Sequence, residues 1–232
     1  MSIIYDKLGY NRHALLDLPF LEGTGVITQD VAKPHHPVTL VGAPSWSALD
    51  SHKMSLELDG ATQYAQCLNA ACADLGFTSS AFSIGGWFKW TSGIVSSQIL
   101  IGRYELNVGG WELYLTNTGA LYYLSLRLHH SAGLTTRTAC YSLGWTPDVL
   151  FHFGVVRDGA SAQFYRNGEA VTTVSDSLID PEATTRDLVI GVRYTKDANF
   201  LDGNLARLFV ADEALTSEDW LNMYKHQSWI SG

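Results

Sequence analysis

Apolar and polar positions alternate with a period of two through much of the chain. In 120-ALYYLSLRLHH-130, Tyr122, Leu124, Leu126 and Leu128 fall on one side, and Tyr123, Ser125, Arg127 and His129 on the other. Successive strand side chains point to opposite faces, so the leucine side is predicted to face a core. The segment 111-WELYL-115 repeats the design, with Trp111, Leu113 and Leu115 opposed to Glu112 and Tyr114. Similar runs rich in Ile, Val, Phe, Tyr and Trp predict strands over 81–90, 97–104, 110–116, 120–130, 134–142, 150–157, 161–167, 187–193 and 203–211. Between them, Asn117-Thr118-Gly119, Ala132-Gly133, Asp158-Gly159 and Asn167-Gly168 supply residues that tolerate positive φ, the chemistry of antiparallel hairpins. The prolines of 34-PHHP-37 and 43-APSW-46 predict a loop-rich early chain, because proline has no amide to give a sheet. One helix of one or two turns is predicted within 215-LTSEDWLNMYKHQSW-229. Thr216 is its cap, Glu218 and Asp219 suit its positive end, and Trp220, Met223 and Tyr224 dock it.

A chain of 232 residues with no linker-like block and no internal repeat is expected to form one domain. Its 46% hydrophobic and 16% charged residues place it among folded globular chains. A net charge of -8 and the lack of any Lys/Arg-rich run argue against a nucleic-acid partner. No apolar run is long enough for a membrane span, and the first twenty residues lack the pattern of a secretory signal, so cytoplasmic synthesis is expected. Cys67, Cys72 and Cys140 are an odd set, expected to be small buried side chains.

The candidate chemistry lies on the polar side of the two alternating segments. If the turn after Asn117 makes them neighbours, Glu112, Tyr114, Tyr123, Arg127 and His129 share one face, with Arg137 from the next strand. Aromatic faces and planar charged groups suit a glycan ligand, and they equally suit a solvated sheet face. Retaining glycosidases need two carboxylates about 5 Å apart. The alternating acids that begin at Glu57-Leu58-Asp59 stop at Ala61, and G-x-S-x-G, H-E-x-x-H and P-loop patterns are missing, so no reaction is nominated. The eight histidines read as loop and surface residues, and adjacent pairs such as His35-His36 and His129-His130 point oppositely along a strand. No cofactor is expected except calcium, whose oxygen donors would be Asp30, Asp59 and Asp202.

Taken in order, several segments resemble the laminin-G-like jelly rolls of the concanavalin A-like lectin/glucanase superfamily. They are 15-LLDLPFLEGTGVITQD-30, 56-LELDGATQYAQC-67, 82-FSIGGWFKW-90, 153-FGVVRDGASAQFYRNGEAV-171, 189-VIGVR-193 and 200-FLDGNLARLFVADEALTSEDW-220. The resemblance implies an all-β fold, a jelly-roll sandwich of two antiparallel sheets with one short C-terminal helix. It makes Trp87, Phe164 and Leu208 core residues and divides the chain into an N-terminal arm, 1–13, and one domain, 14–232. It also implies a non-catalytic adhesive or carbohydrate-binding role, with calcium at a sheet edge in some members. Where the family has an acidic pair after D-G-x-I, this chain has Asp202-Gly203-Asn204-Leu205-Ala206-Arg207. An adhesive fold without a leader fits a phage virion protein, a capsid decoration or tail-fibre component, acting in the virion or outside the cell. Its partners are then a glycan or cell-surface ligand, or capsid and tail proteins, with a homo-oligomer as a further option. The alternatives are a polysaccharide-degrading enzyme of the same superfamily and a carbohydrate-binding module of a bacterial surface protein.

Overall fold

A computed structural model describes residues 9–49, 54–91, 97–117, 121–131, 135–141, 145–174 and 178–227. Sixteen strands, three short 3-10 turns and one α-helix are assigned in it. The strands form two antiparallel sheets of eight. The first runs β4 (Ser45–Ala48), β5 (Met54–Asp59), β16 (Asp202–Ala211), β7 (Phe82–Trp90), β12 (Phe151–Asp158), β13 (Ser161–Arg166) and β14 (Glu169–Val174). Strand β1 (Ala14–Leu18) shares an edge of β16 with β5: β5 pairs residues 202–205, and β1 pairs 208–211. The second sheet runs β2 (Ile27–Gln29), β3 (Pro37–Val41), β6 (Tyr64–Cys67), β15 (Leu188–Ile190), β8 (Gln98–Glu105), β9 (Gly109–Asn117), β10 (Tyr122–His129) and β11 (Thr135–Tyr141).

The leucine rows meet between the sheets, as the alternation predicts. Leu113, Leu115, Leu124, Leu126 and Leu128 join Phe82, Phe88, Trp90, Trp111, Phe153 and Phe164 in one buried cluster. Inside it, Phe77 stacks on Phe82 with centroids 4.6 Å apart, and Phe88 stacks on Trp90 at 4.9 Å. Aromatic pairs at these offsets add to the area they bury, so this layer fixes how the sheets sit on each other. Phe164 and Leu208 lie in this core, whereas Trp87, equally buried, lies on the opposite face of its sheet in a smaller cluster with Leu49 and Ala206.

Three expectations need correction. The early chain contributes six strands, and both proline-bearing segments enter them: Pro37 opens β3, and Trp46 lies in β4. The loop expectation failed because Pro37 sits at the first position of its strand, opposite Gln29 of the edge strand β2, a placement proline tolerates. Strand β14 was not foreseen, and the strand expected over 187–193 ends at Ile190, where Gly191 takes φ +81°. The helix, α1 (Ser217–Gln227), is eleven residues long rather than one or two turns.

Thr216 caps α1: its hydroxyl accepts from the Asp219 amide at 3.2 Å, and its own amide donates to the Asp219 carboxylate at 2.9 Å. Trp220 and Met223 are fully buried on the outer face of the first sheet. The Trp220 ring lies over Gly85 and Gly154, paired residues of β7 and β12 whose missing side chains leave room for it. The helix therefore covers the outer face of one sheet. The outer face of the other sheet carries the candidate site.

Candidate functional site

Cross-strand register builds the site. Gly102, Glu112, Arg127 and Arg137 are successive partners across β8, β9, β10 and β11, and Tyr104, Gly110 and His129 make the next row. The turn at 117–119 was expected to make β9 and β10 neighbours; they are paired, although 118–120 lie outside the described residues. The side chain of Arg137 also lies outside them.

Glu112 is the centre. Its Oε1 accepts from Arg127 Nη1 at 2.8 Å and lies 3.1 Å from His129 Nε2. The Arg127 guanidinium sits 4.5 Å from the centroid of the Tyr114 ring, a cation–π contact. The Tyr104 ring stacks on His129 at 4.7 Å, and Tyr194 meets Tyr104 edge-on at 5.1 Å. Beyond Tyr194, Arg186 lies 5.6 Å from its centroid and pairs with Glu105. A ladder of rings, guanidinium groups and carboxylates thus crosses the outer face from Glu105 to Arg127.

The face is not the solvated surface that alternation alone suggested. Glu112, Tyr114 and His129 are buried, Arg127 keeps 18% of its side chain exposed, and Tyr123 and Tyr194 are half-buried. The cover comes from the face itself, because Gly102 leaves space into which Tyr104 folds: a Cβ there would lie 3.0 Å from the Tyr104 ring and 2.9 Å from Glu112 Cβ. Burial, the Glu112 charge and a hydrogen bond to Glu112 all raise the Tyr104 pKa, so the phenol keeps its proton. Arg186 holds the Glu105 carboxyl below the usual range. Arg127 Nε and His129 Nδ1 are buried without a hydrogen-bond partner among the described residues.

Five expected residues, Glu112, Tyr114, Tyr123, Arg127 and His129, therefore share one face, and four of them form one contact network. Tyr104, Tyr194, Arg186 and Glu105 were missed. The pairing of Gly102 with Glu112 puts Tyr104 on this face, but register was not readable for β8; Tyr194 follows Gly191 outside any strand and left no periodic signal.

Of the histidines expected in loops and at the surface, His36, His129, His130 and His152 are buried, whereas His13, His35 and His226 are exposed. His36 bridges Asp30, at 2.8 Å through Nδ1, and Asp74, at 2.9 Å through Nε2. Burial works against its charge, but the bonds to Asp30 and Asp74 and their charges outweigh that and hold its pKa at about 9.

The three aspartates expected for calcium do not converge on shared partners. Asp30 accepts through Oδ1 from the amides of Asp17 and Ala32 and through Oδ2 from the amide and ring of His36. Asp59 accepts through Oδ1 from the amides of Ala61, Thr62 and Gln63. Burial opposes this carboxylate, but these hydrogen bonds prevail and hold its pKa near 2. Asp202 lies across the ladder from Asp59. Among the described residues no group of three His, Cys, Asp or Glu side chains is arranged to hold a metal. The Asp30 and Asp59 carboxylates already serve backbone amides, so neither fits a cation cage without giving up those bonds.

A sequence profile of the concanavalin A-like lectin/glucanases superfamily matches residues 59–219, most of the chain. The chain belongs to that superfamily. Solved structures agree on the fold. The receptor-binding domain of botulinum neurotoxin mosaic serotype C/D superposes with a TM-score of 0.71 at 15% identity, over 94% of this chain and 52% of the other. The serotype G binding domain gives 0.71 at 13% identity, over 93% and 51%. A botulinum neurotoxin type C structure gives 0.67 at 12%, over 94% and 52%; that toxin's entry into cells depends upon interaction with two ganglioside molecules. The superfamily member described here spans about half the length of these structures. A comparison with the sequences of characterised proteins found no match.

Proposed function

We propose that this jelly roll is a non-catalytic recognition module that binds a glycan or a cell-surface ligand on the outer face of its second sheet. The ladder from Glu105 to Arg127 carries the reading. It links a half-buried ring, Tyr194, through Tyr104, His129 and Glu112 to the partly exposed Arg127 guanidinium, with the half-buried Tyr123 further along the same strand face. Rings offer flat surfaces to sugar C–H patches, and planar cations give paired hydrogen bonds. The ganglioside dependence of botulinum neurotoxin type C, a protein of the same fold, is in keeping with it. Single sites of this kind bind weakly and gain strength from repetition. A virion, with the chain as a capsid decoration or tail-fibre protein beside capsid and tail partners, is the setting we infer would supply many copies, and self-association would do so on a smaller scale.

A glycan panel tests the binding. Retention of at least one glycan, lost in Arg127→Ala and Tyr194→Ala proteins with unchanged circular dichroism, is the expected result; retention unaffected by both changes removes the assignment of this face. The rival reading is a polysaccharide-degrading enzyme, favoured by one observation: Glu112 is a carboxylate buried beside His129 and Arg127. Sustained release of new reducing ends, abolished in Glu112→Gln, would favour that enzyme. Electron microscopy of particles made without the protein tests the virion assignment.

A further inference from the structure

Cys67 closes β6, and Cys72 stands between two 3-10 turns, Asn69–Ala71 and Ala73–Leu75. Both side chains are fully buried. The Cys72 thiol points back at the start of its own loop and donates to the Cys67 carbonyl oxygen at 3.5 Å, while the Cys67 thiol donates to the Leu68 carbonyl oxygen at 3.8 Å. Both thiols are free, and each lies close enough to shift the other's titration. A third group faces them. Arg103, itself 3% exposed, donates through Nη2 to Asn69 Oδ1 at 2.5 Å, its charge favours a thiolate at Cys72, and its Nε has no partner among the described residues. A guanidinium brought into a buried layer is costly beside two apolar thiols, but it suits one thiolate.

We propose that Cys67 and Cys72 form a disulfide by exchange with a small-molecule disulfide, Cys72 attacking first and Cys67 closing the bond. The Cys72 thiolate bonds one sulfur of the small disulfide and releases the other as a thiolate. Cys67 then loses its proton and attacks Cys72 Sγ, and the second small thiolate leaves. The sum is two protein thiols and one small disulfide giving one protein disulfide and two small thiols, with the protons carried by the released thiols. The two sulfurs differ in the direction this order requires. The neighbouring Cys67 thiol, then the Leu188 amide and Arg103, overcome burial and lower the Cys72 pKa to about 6, while the Cys72 partner and burial push the Cys67 thiol up.

Access requires this segment to open. Leu68, Ala70, Ala71, Ala73 and Asp74 are exposed, so the cover over the sulfurs is a single layer of loop, pinned at Asn69 by Asp187 and Arg103 and at Asp74 by His36. Opening such a segment requires far less than global unfolding.

The test uses the full chain with Cys140→Ser, so that only this pair remains. It is incubated with excess oxidised glutathione well below its melting temperature, then unfolded for thiol titration and mass measurement. Titratable thiols fall from two to zero, the mass drops by two hydrogens with no glutathione retained, and the melting temperature rises by about 5 °C, as closing a short loop predicts. Under the same treatment Cys67→Ser retains one glutathione on Cys72. Two thiols still titratable, or stable glutathione adducts in the Cys140→Ser protein, overturn the proposal, and an unmodified Cys72 in Cys67→Ser overturns the order of attack. If Cys140→Ser does not fold, peptide mapping of the wild-type chain for a Cys67–Cys72 link decides the same question.

Discussion

Arg127 on β10 and Glu112 on β9 are direct cross-strand partners, joined at 2.8 Å with the carboxylate 1% exposed. Removing Arg127 leaves Glu112 buried with, among the described residues, only the His129 ring and the Tyr104 phenol as partners in place of a full positive charge. Arg127→Ala is therefore expected to destabilise the fold by about 3 kcal/mol, the lower end for a broken buried pair because the arginine keeps some contact with water. Glu112→Gln preserves shape and one acceptor and is expected to cost nearer ~1 kcal/mol. Denaturant midpoints measured at constant m-value check both.

Two histidines set opposite limbs of the pH dependence. The His36 pKa is raised to about 9 and that of His152 is lowered to about 3, by burial first and then by the Arg207 charge. For His36 the native state binds its proton more tightly, so its contribution is complete below the unfolded value of about 6.5 and is lost as pH rises through 9. For His152 the unfolded state takes up the proton first, so stability falls as pH drops from about 6.5 towards 3. Stability is expected to peak near neutrality, each limb approaching about 1.4 kcal/mol per pH unit. Melting temperatures taken from mildly acid to mildly alkaline pH check this: His36→Gln flattens the alkaline limb and His152→Phe the acid one.

Much of this architecture was legible from two-residue periodicity. The leucine rows of β9 and β10 named both the core and its opposite face, because a strand with one buried side writes that fact into every second residue. What the alternation could not tell was how wet the other face is. Tyr104 folds over Glu112 only because Gly102 is the cross-strand partner of that glutamate, and Tyr194 arrives from the segment that follows β15, far along the chain from β8; no local pattern carries either fact, since both depend on how distant segments are brought together. The early strands β2, β3 and β4 are three to five residues long, too short for alternation to stand out against their prolines. The buried histidines went unread for a related reason: an imidazole is polar in a sequence, and only its partners, Asp30 and Asp74 for His36, make it an interior group.

Arg157 gives the resemblance to the V-V-R-D-G hairpin a physical basis. It is 1% exposed and donates through Nη1 to the carbonyls of Thr78, Ser79 and Ser80, and through Nη2 to Asp180. Arg157→Ala is expected to cost about 3 to 5 kcal/mol, because three carbonyls lose their donor together with the charge. Asp180 is more than half exposed, so Asp180→Ala is expected to cost less than about 1 kcal/mol. Denaturation of the two variants side by side shows whether the loop carbonyls or the ion pair anchor this arginine.

The seat of α1 makes a sharper case, since it depends on side chains that are missing. Gly85 and Gly154 are cross-strand partners, and a Cβ on Gly154 would lie 2.7 Å from the Trp220 ring. The ring also stacks on Tyr165 at 5.5 Å, so it cannot slide aside without losing that contact. Trp220→Ala is expected to cost about 3 to 5 kcal/mol through the cavity it leaves. Gly154→Ala acts from the other side, by displacing the indole, and its cost should largely vanish once the indole is gone. A double-mutant cycle therefore predicts strong non-additivity between the two changes, with Gly154→Ala close to neutral in the Trp220→Ala background. If the two costs simply add, the methyl group harms the strand pair itself, and the glycines serve the sheet rather than the helix.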